Sequence, residues 1–285
     1  MSTAKNSYAN FCKENQVPLF LQSEWYQALY GDNWDVVIAE VNGVVQGFLP
    51  FILTKKKSFK LIRPPYLTPY QGLVMSYPEG QKYANKLSHE KEVMDLIIDG
   101  LPNADAFEQK FDPSFTNWLP FYWKGYEQTT QYTYIIKDIS DAENVFAGFK
   151  ENIRREIRKA EKQLTVDVSN DIEALFDLKL KVYSSRNQEY PIPLDILRSA
   201  FKHAQEKECG ELLLAKDEQG NVHSMLFFVW DNNCAYYLHG GTFEEYKRTG
   251  SMSLLLWEAI KRSSGRVKTF NFEGSMTESI ERYFR

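Results

Sequence analysis

The chain has 285 residues, 43% of them hydrophobic and 15% aromatic. That is enough for one large domain or two of about 140 residues each, and too apolar for disorder. A net charge of −4 with 25% charged residues speaks against wholesale nucleic-acid binding but leaves room for a local basic patch. No stretch approaches the roughly 18 consecutive apolar residues of a membrane span, and the first residues lack the apolar segment of a signal peptide. Cys12, Cys209 and Cys234 are far apart, as are His89, His203, His223 and His239. They offer neither a disulfide framework nor a zinc site, so a cytoplasmic protein without a metal is expected.

In chain order, residues 23–30 begin with a capping serine and read as a short helix. Residues 34–41 alternate as a strand, Asn42-Gly43 is a hairpin turn, and 44–53 return. Three prolines in 63–70 remove donors and fix the backbone, so this segment, with Arg63, Tyr66 and Tyr70, is an ordered loop. A helix is expected over 81–98 and a short strand over 104–109. An aromatic stretch then leads into a strand over 132–137. Helix resumes at 141 and runs to 163 with a break near Gly148, followed by helices over 171–187 and 193–207.

The second half has the cleaner pattern. Strands are expected over 211–216, 222–230 and 234–239, joined by the polar turns at 217–221 and 231–233. After Lys247-Arg248-Thr249-Gly250-Ser251, the apolar positions Met252, Leu255, Leu256, Ala259 and Ile260 follow the spacing of one buried helix face. A strand over 267–273 closes the pattern. Both halves run hairpin, helix, strand, which suggests a duplicated module with boundaries 1–140 and 141–285.

A helix N-terminus offers unpaired N–H groups and a positive dipole end, so it attracts phosphate. Lys247, Arg248, Thr249, Gly250, Ser251 and Met252 therefore form a candidate cradle for the diphosphate of coenzyme A. The plainer alternative is an ordinary capped helix after a surface turn. The helix around 152–162 carries Lys150, Arg154, Arg155, Arg158, Lys159 and Lys162 against Glu151, Glu156 and Glu161. It is either a solvated face or an anion site, with Arg154 and Arg158 as candidate contacts for a phosphorylated substrate, tRNA or an anionic lipid-linked precursor.

The strings AYYLHGGT, KRTGSMSLLLWEAI and KTFNFEGSMTESIERYFR resemble the Fem-like, tandem-domain group of GNAT-superfamily acyltransferases. So do PPYLTPYQGLVM, TNWLPFYWKGYEQTTQYTYIIKDIS and NIRREIRKAEK upstream. The resemblance implies an α/β (α+β) fold of two GNAT-like domains, each a mixed, mainly antiparallel sheet flanked by helices. It implies a degenerate acceptor-side domain over 1–140 and the acyl-donor site in 141–285. Its cofactor would be acetyl-CoA or another acyl-CoA, with aminoacyl-tRNA as the alternative. Two departures stand out. Lys247 and Met252 occupy the first position and second small position of the usual diphosphate loop, which sets acetyl-CoA in question. Relatives also continue beyond the ERYFR segment, so a truncated chain or an abbreviated C-terminal sheet is expected.

Acyl transfer to an amine needs a base, a polarised carbonyl and a protonated leaving group. Alternation along 267–273 puts Asn271 and Glu273 on one strand face and Phe270 and Phe272 on the other. Glu273 is the candidate base, unless it is a solvated strand-end carboxylate. The resemblance implies that Tyr283 protonates the departing thiolate; otherwise it is a packing tyrosine. By alternation Tyr237 and His239 share a strand face and are candidates to line the cleft, unless His239 is a structural histidine beside Gly240-Gly241. Arg63, Tyr66 and Tyr70 are candidates to grip the acceptor, from loop composition and the family's interdomain cleft. The function expected is N-acyl transfer from acyl-CoA to a small-molecule amine, an amino-sugar or amino-acid derivative of envelope metabolism. Aminoacyl-tRNA-dependent transfer onto a peptidoglycan precursor and a non-catalytic ligand-binding module are the alternatives.

Overall fold

Asn42 and Gly43 both adopt positive φ, 53° and 80°, the geometry of a tight two-residue hairpin whose twist matches its strands. They join β1 (Asp35–Val41) to β2 (Val44–Phe51) in the computed structural model, which describes residues 3–274 and 276–284. The chain divides into two compact units, 1–130 and 131–285.

The first unit opens with α1 (Thr3–Glu14) and α2 (Ser23–Tyr30) before the hairpin. Ser23 is the first helical residue and not the cap; Gln22 holds the cap position without a side-chain bond. The unit continues with β3 (Leu53–Lys56), β4 (Phe59–Ile62), β5 (Val74–Met75), α3 (Tyr83–Asp99), β6 (Ala106–Phe107) and α4 (Leu119–Trp123). Its strands form two three-stranded sheets, β1-β2-β5 and β3-β4-β6. Val37, Leu49, Ile62, Val93 and Ile97 make one core, and Tyr8, Tyr26, Trp34 and Phe48 another.

The second unit runs β7 (Ile135–Ile136), α5 (Ala142–Gly148), α6 (Glu151–Ala160), β8 (Thr165–Ser169), α7 (Ile172–Ser184), α8 (Leu194–Glu206) and β9 (Gly210–Lys216). It continues with β10 (Val222–Trp230), β11 (Cys234–Thr242), α9 (Ser251–Ser263), β12 (Thr269–Asn271) and α10 (Glu278–Phe284). The expected break near Gly148 is real. Asp141 caps α5 through Asn144 N at 3.0 Å, and Phe149 and Lys150 separate α5 from α6. Six strands form one sheet in the order β7-β12-β11-β10-β9-β8. All pairings are antiparallel except β11 with β12. Its two faces have different covers. Leu213, Leu226, Phe228, Ala235 and Phe270 pack with Ile157 of α6 and Leu255, Ala259 and Ile260 of α9. On the other side α7 lies on β11 and α8 on β9.

Each unit thus contains a parallel strand pair bridged by a helix, β4-α3-β6 and β11-α9-β12. Mixed, mainly antiparallel sheets flanked by helices in both units are the tandem arrangement expected from the resemblance. No helix among the described residues is long and apolar enough to cross a membrane.

Candidate active site

The parallel pair β11-β12 is short. Cys234, Ala235 and Tyr236 pair with Thr269, Phe270 and Asn271, and β11 then continues to Thr242 while β12 ends. The backbone after Asn271 turns toward the other neighbour, with Phe272 N donating to Tyr134 O at 2.9 Å. From Tyr237 onward the two strands therefore diverge, leaving the β12 edge of β11 without a ladder partner among the described residues.

A bulge sits at the same place. Tyr237 opposes Phe228 and His239 opposes Phe227, so Leu238 is the extra residue. One inserted residue reverses the alternation. Tyr237 and His239 therefore do not share a face, contrary to the simple strand reading. Tyr237 lies on the α9 side, where its ring is 5.9 Å from Phe284 and burial pushes its phenol up to about 12. His239 lies on the α7 side. There its Nε2 is 2.5 Å from Tyr190 Oη, and burial, with Lys179 nearby, holds the imidazole neutral, well below its usual pKa. Lys179 donates to Gly240 O at 2.9 Å, and burial, helped by Arg186, lowers its ammonium to about 8.

On the α9 side a cavity of about 640 Å³ opens between α6, α9 and α10. Phe149, Trp257, Phe272 and Phe284 supply aromatic walls, and Glu156, Ser253 and Tyr283 the polar groups that concern chemistry. Ser253 Oγ is 2.8 Å from Tyr283 Oη and 3.5 Å from Glu156 Oε1. Tyr283 has 38% of its surface exposed, but its hydroxyl end faces inward onto Ser253. Burial raises its pKa, and the Glu156 carboxylate adds to the effect. It stays a proton donor throughout the neutral range. Neither Glu156 nor Ser253 stands out in the sequence: one is an acid within a basic helix, the other a serine within an apolar one.

Several side chains of the candidate diphosphate cradle find partners within the protein. Gly250 adopts φ 77° at the N-cap of α9 and is packed closely against α6. A methyl group there would fall 2.6 Å from Glu156 Cγ and 3.1 Å from Glu156 O. The close approach that glycine permits is thus used by the protein's own glutamate. Ser251 is buried with its hydroxyl 2.6 Å from Ser224 Oγ. Thr249 donates to Tyr246 O at 2.8 Å, and Lys247 pairs with Glu244 at 2.5 Å. Met252 packs against the core, while Arg248 is exposed.

The strand carrying the expected base is shorter than the alternation suggests. β12 ends at Asn271, and Glu273 takes a left-handed φ of 57°. Asn271 is buried, accepts from Thr133 Oγ1, and donates to Glu273 Oε1 at 2.9 Å. Asn271 and Glu273 are thus together, but neither lines the cavity that holds Tyr283. On α6, Arg154 is half-buried with its Nε lacking a partner, and the Arg158 guanidinium lies 5.4 Å over the Phe146 ring. Among the described residues, Lys150, Arg154, Arg155, Arg158, Lys159 and Lys162 form no ion pair. In the first unit Arg63 and Tyr66 are exposed, and Tyr66 O accepts from Tyr30 Oη at 2.9 Å. Tyr70 is a core residue, 5% exposed and packed edge-on to Phe20.

The sheet of the second unit is thus hairpin-fed, and its parallel pair splays after Tyr236. The family model described as an acetyltransferase (GNAT) domain matches residues 147–284. The second unit carries a GNAT acetyltransferase domain. Solved structures extend the likeness over both units. The crystal structure of FemX shares 14% identity over 96% of this chain and 88% of its own, with a TM-score of 0.65. L-PGS from Bacillus licheniformis shares 11% over 95% and 75%, with a TM-score of 0.53. A conserved protein of unknown function from Bacteroides thetaiotaomicron shares 12% over 98% and 90%, also at 0.53. At such identities these likenesses speak for the fold, which is Fem-like and GNAT in type. No curated protein sequence matches the chain. The acetyltransferase domain of the second unit supports an acyltransferase.

Proposed function

We propose that the protein transfers an acyl group to a primary amine, an amino-sugar or amino-acid derivative of envelope metabolism, at the cavity beside α9. The observation that carries this reading is the Ser253–Tyr283 hydroxyl pair opening into that cavity within the GNAT domain. In the proposed reaction the amine attacks the acyl carbonyl, forming the C–N bond. The bond to the carrier breaks, and the carrier's sulfur or oxygen takes the Tyr283 proton. The amine gives its own proton to a carboxylate. Glu156 is better placed for this than Glu273, because it lines the same cavity as Tyr283. If the donor is acyl-CoA, as the acetyltransferase match favours, the pantetheine chain would lie along the free edge of β11.

A second reading takes aminoacyl-tRNA as donor. Two observations favour it. Glu156 packs against Gly250, so a diphosphate approaching that turn would meet a carboxylate. Six basic residues on and next to α6 have no ion-pair partners among the described residues, and a polyanion would satisfy them. A thiol-release assay with acyl-CoA and a panel of amines tests the first reading. Under it Tyr283→Phe lowers kcat about 10²-fold. If no thiol is released while charged tRNA is consumed, with a steep salt dependence weakened by Arg154→Ala plus Arg158→Ala, the second reading replaces the first.

A further inference from the structure

Between Glu40 and Glu79 the sequence holds no acidic residue, while Lys55, Lys56, Lys57, Lys60 and Arg63 supply five basic ones. In a chain of net charge −4 this is a pronounced local excess of positive charge. The fold gathers the four lysines on one hairpin of the first unit, β3 with β4. Lys55 lies directly across from Lys60, and Lys56 across from Phe59, with Lys57 and Ser58 forming the turn. Like charges facing each other on neighbouring strands destabilise a sheet. Among the described residues no carboxylate forms an ion pair with any of these lysines. The Asp105 carboxylate comes close to Lys60 but accepts from its backbone N–H, at 2.7 Å.

Two plainer explanations account for only part of this. Lysines on an edge strand discourage edge-to-edge association, and β3 is such a strand. Lys60, however, is on the central strand β4, and edge protection would not place Phe59 beside it with 56% of its surface exposed. Turn chemistry does not call for lysine at the tip either. Lys57 takes a left-handed φ of 57°, a position at which the β1–β2 hairpin uses Asn-Gly. Residues 54–60 are exposed throughout, so the hairpin projects a basic tip that carries one apolar ring.

We propose that the β3–β4 hairpin docks the protein onto an anionic lipid bilayer, its lysines meeting the headgroup phosphates and Phe59 entering the headgroup–acyl boundary. A cluster of lysines is drawn to an anionic surface, and an apolar side chain among them adds a contact that soluble phosphate does not offer. Nucleic acid would also attract the lysines. Binding of a single strand, however, uses a groove in which several rings stack on bases, whereas here one ring stands on a projecting tip. The proposal involves neither donor nor reaction, so it can fail while the acyl-transfer reading stands.

Cosedimentation of the full chain with vesicles tests it, using phosphatidylcholine alone and an equimolar mixture of phosphatidylcholine with phosphatidylglycerol. At low ionic strength the mixed vesicles should bind about tenfold or more tightly than the neutral ones, and added salt should weaken that binding. Lys55→Gln plus Lys60→Gln should reduce it about tenfold. Phe59→Ser should reduce it about fivefold, while Phe59→Trp retains it. These side chains are exposed, and thermal unfolding checks that each variant is folded. Glycerol phosphate at matched ionic strength should not displace the vesicles; displacement would assign the hairpin to a soluble phosphate and overturn the proposal. No preference for the anionic vesicles, or a preference that either folded variant leaves untouched, would also overturn it. So would single-stranded RNA binding that the variants weaken while vesicle association stays unchanged.

Discussion

Lys179 shows how burial tunes a single side chain. Its ammonium is held against Gly240 O, and burial lowers its pKa to about 8. An unfolded lysine keeps its proton to about 10.4. Between these values the unfolded chain binds the extra proton, so stability rises with pH across the window. The protein should gain on the order of 1–3 kcal/mol relative to Lys179→Met as pH rises from about 8 to 10.5, read from denaturant unfolding at each pH. A constant difference would mean that the amine is solvated. Tyr283 is moved the other way, burial raising its phenol, so loss of its proton should not shape the rate anywhere in the neutral range. Neither effect is legible in the sequence. A lysine on a helix and a tyrosine near the end of a chain acquire their properties from neighbours that local pattern does not reveal.

At the scale of elements, the turn before α9 carries the sharpest prediction. Gly250 sits at positive φ against Glu156. Gly250→Ala should destabilise the protein by about 2–4 kcal/mol in chemical denaturation, from backbone strain plus the displacement of α6. An unchanged midpoint would show that α6 yields without cost. A larger side chain at Gly250 would disturb folding as well as ligand binding, so donor binding is better probed at Glu156. The elements themselves were readable where chemistry marks them. Asn42-Gly43, Asp217 with Gly220, and Asp231 announce their turns, and the apolar spacing of α9 announces its buried face. Three features were hidden. β8 is short and polar, carrying Asp167 and two hydroxyl residues. α1 has few apolar residues to set a period. The bulge at Leu238 has no glycine or proline to mark it, yet it moves His239 to the opposite face from Tyr237. The approach of Glu156 to Gly250 joins residues far apart in the chain, beyond the reach of any local pattern.

For the whole molecule, the second unit contains its entire six-stranded sheet and the core that covers it. β7 belongs to that sheet through Ile136 with Phe270 and Ile135 with Asn271, and Ile139 is fully buried in the same core. A fragment of residues 131–285 should therefore unfold cooperatively on its own. A fragment beginning at residue 141 lacks β7 and Ile139 and should be less stable by about 3 kcal/mol or more, as urea melts of the two would show. Equal midpoints would mean that β7 is dispensable. Fold membership alone leaves the reaction open, and the account stands or falls on amide formation. The direct measurement is mass spectrometry of products after incubating the full chain with primary amines and, in separate reactions, acyl-CoA or charged tRNA. The account predicts an amide from one of the two donors, its yield reduced in both Glu156→Gln and Tyr283→Phe. A folded protein that forms no amide from either donor, or one whose yield is untouched by both substitutions, would contradict it.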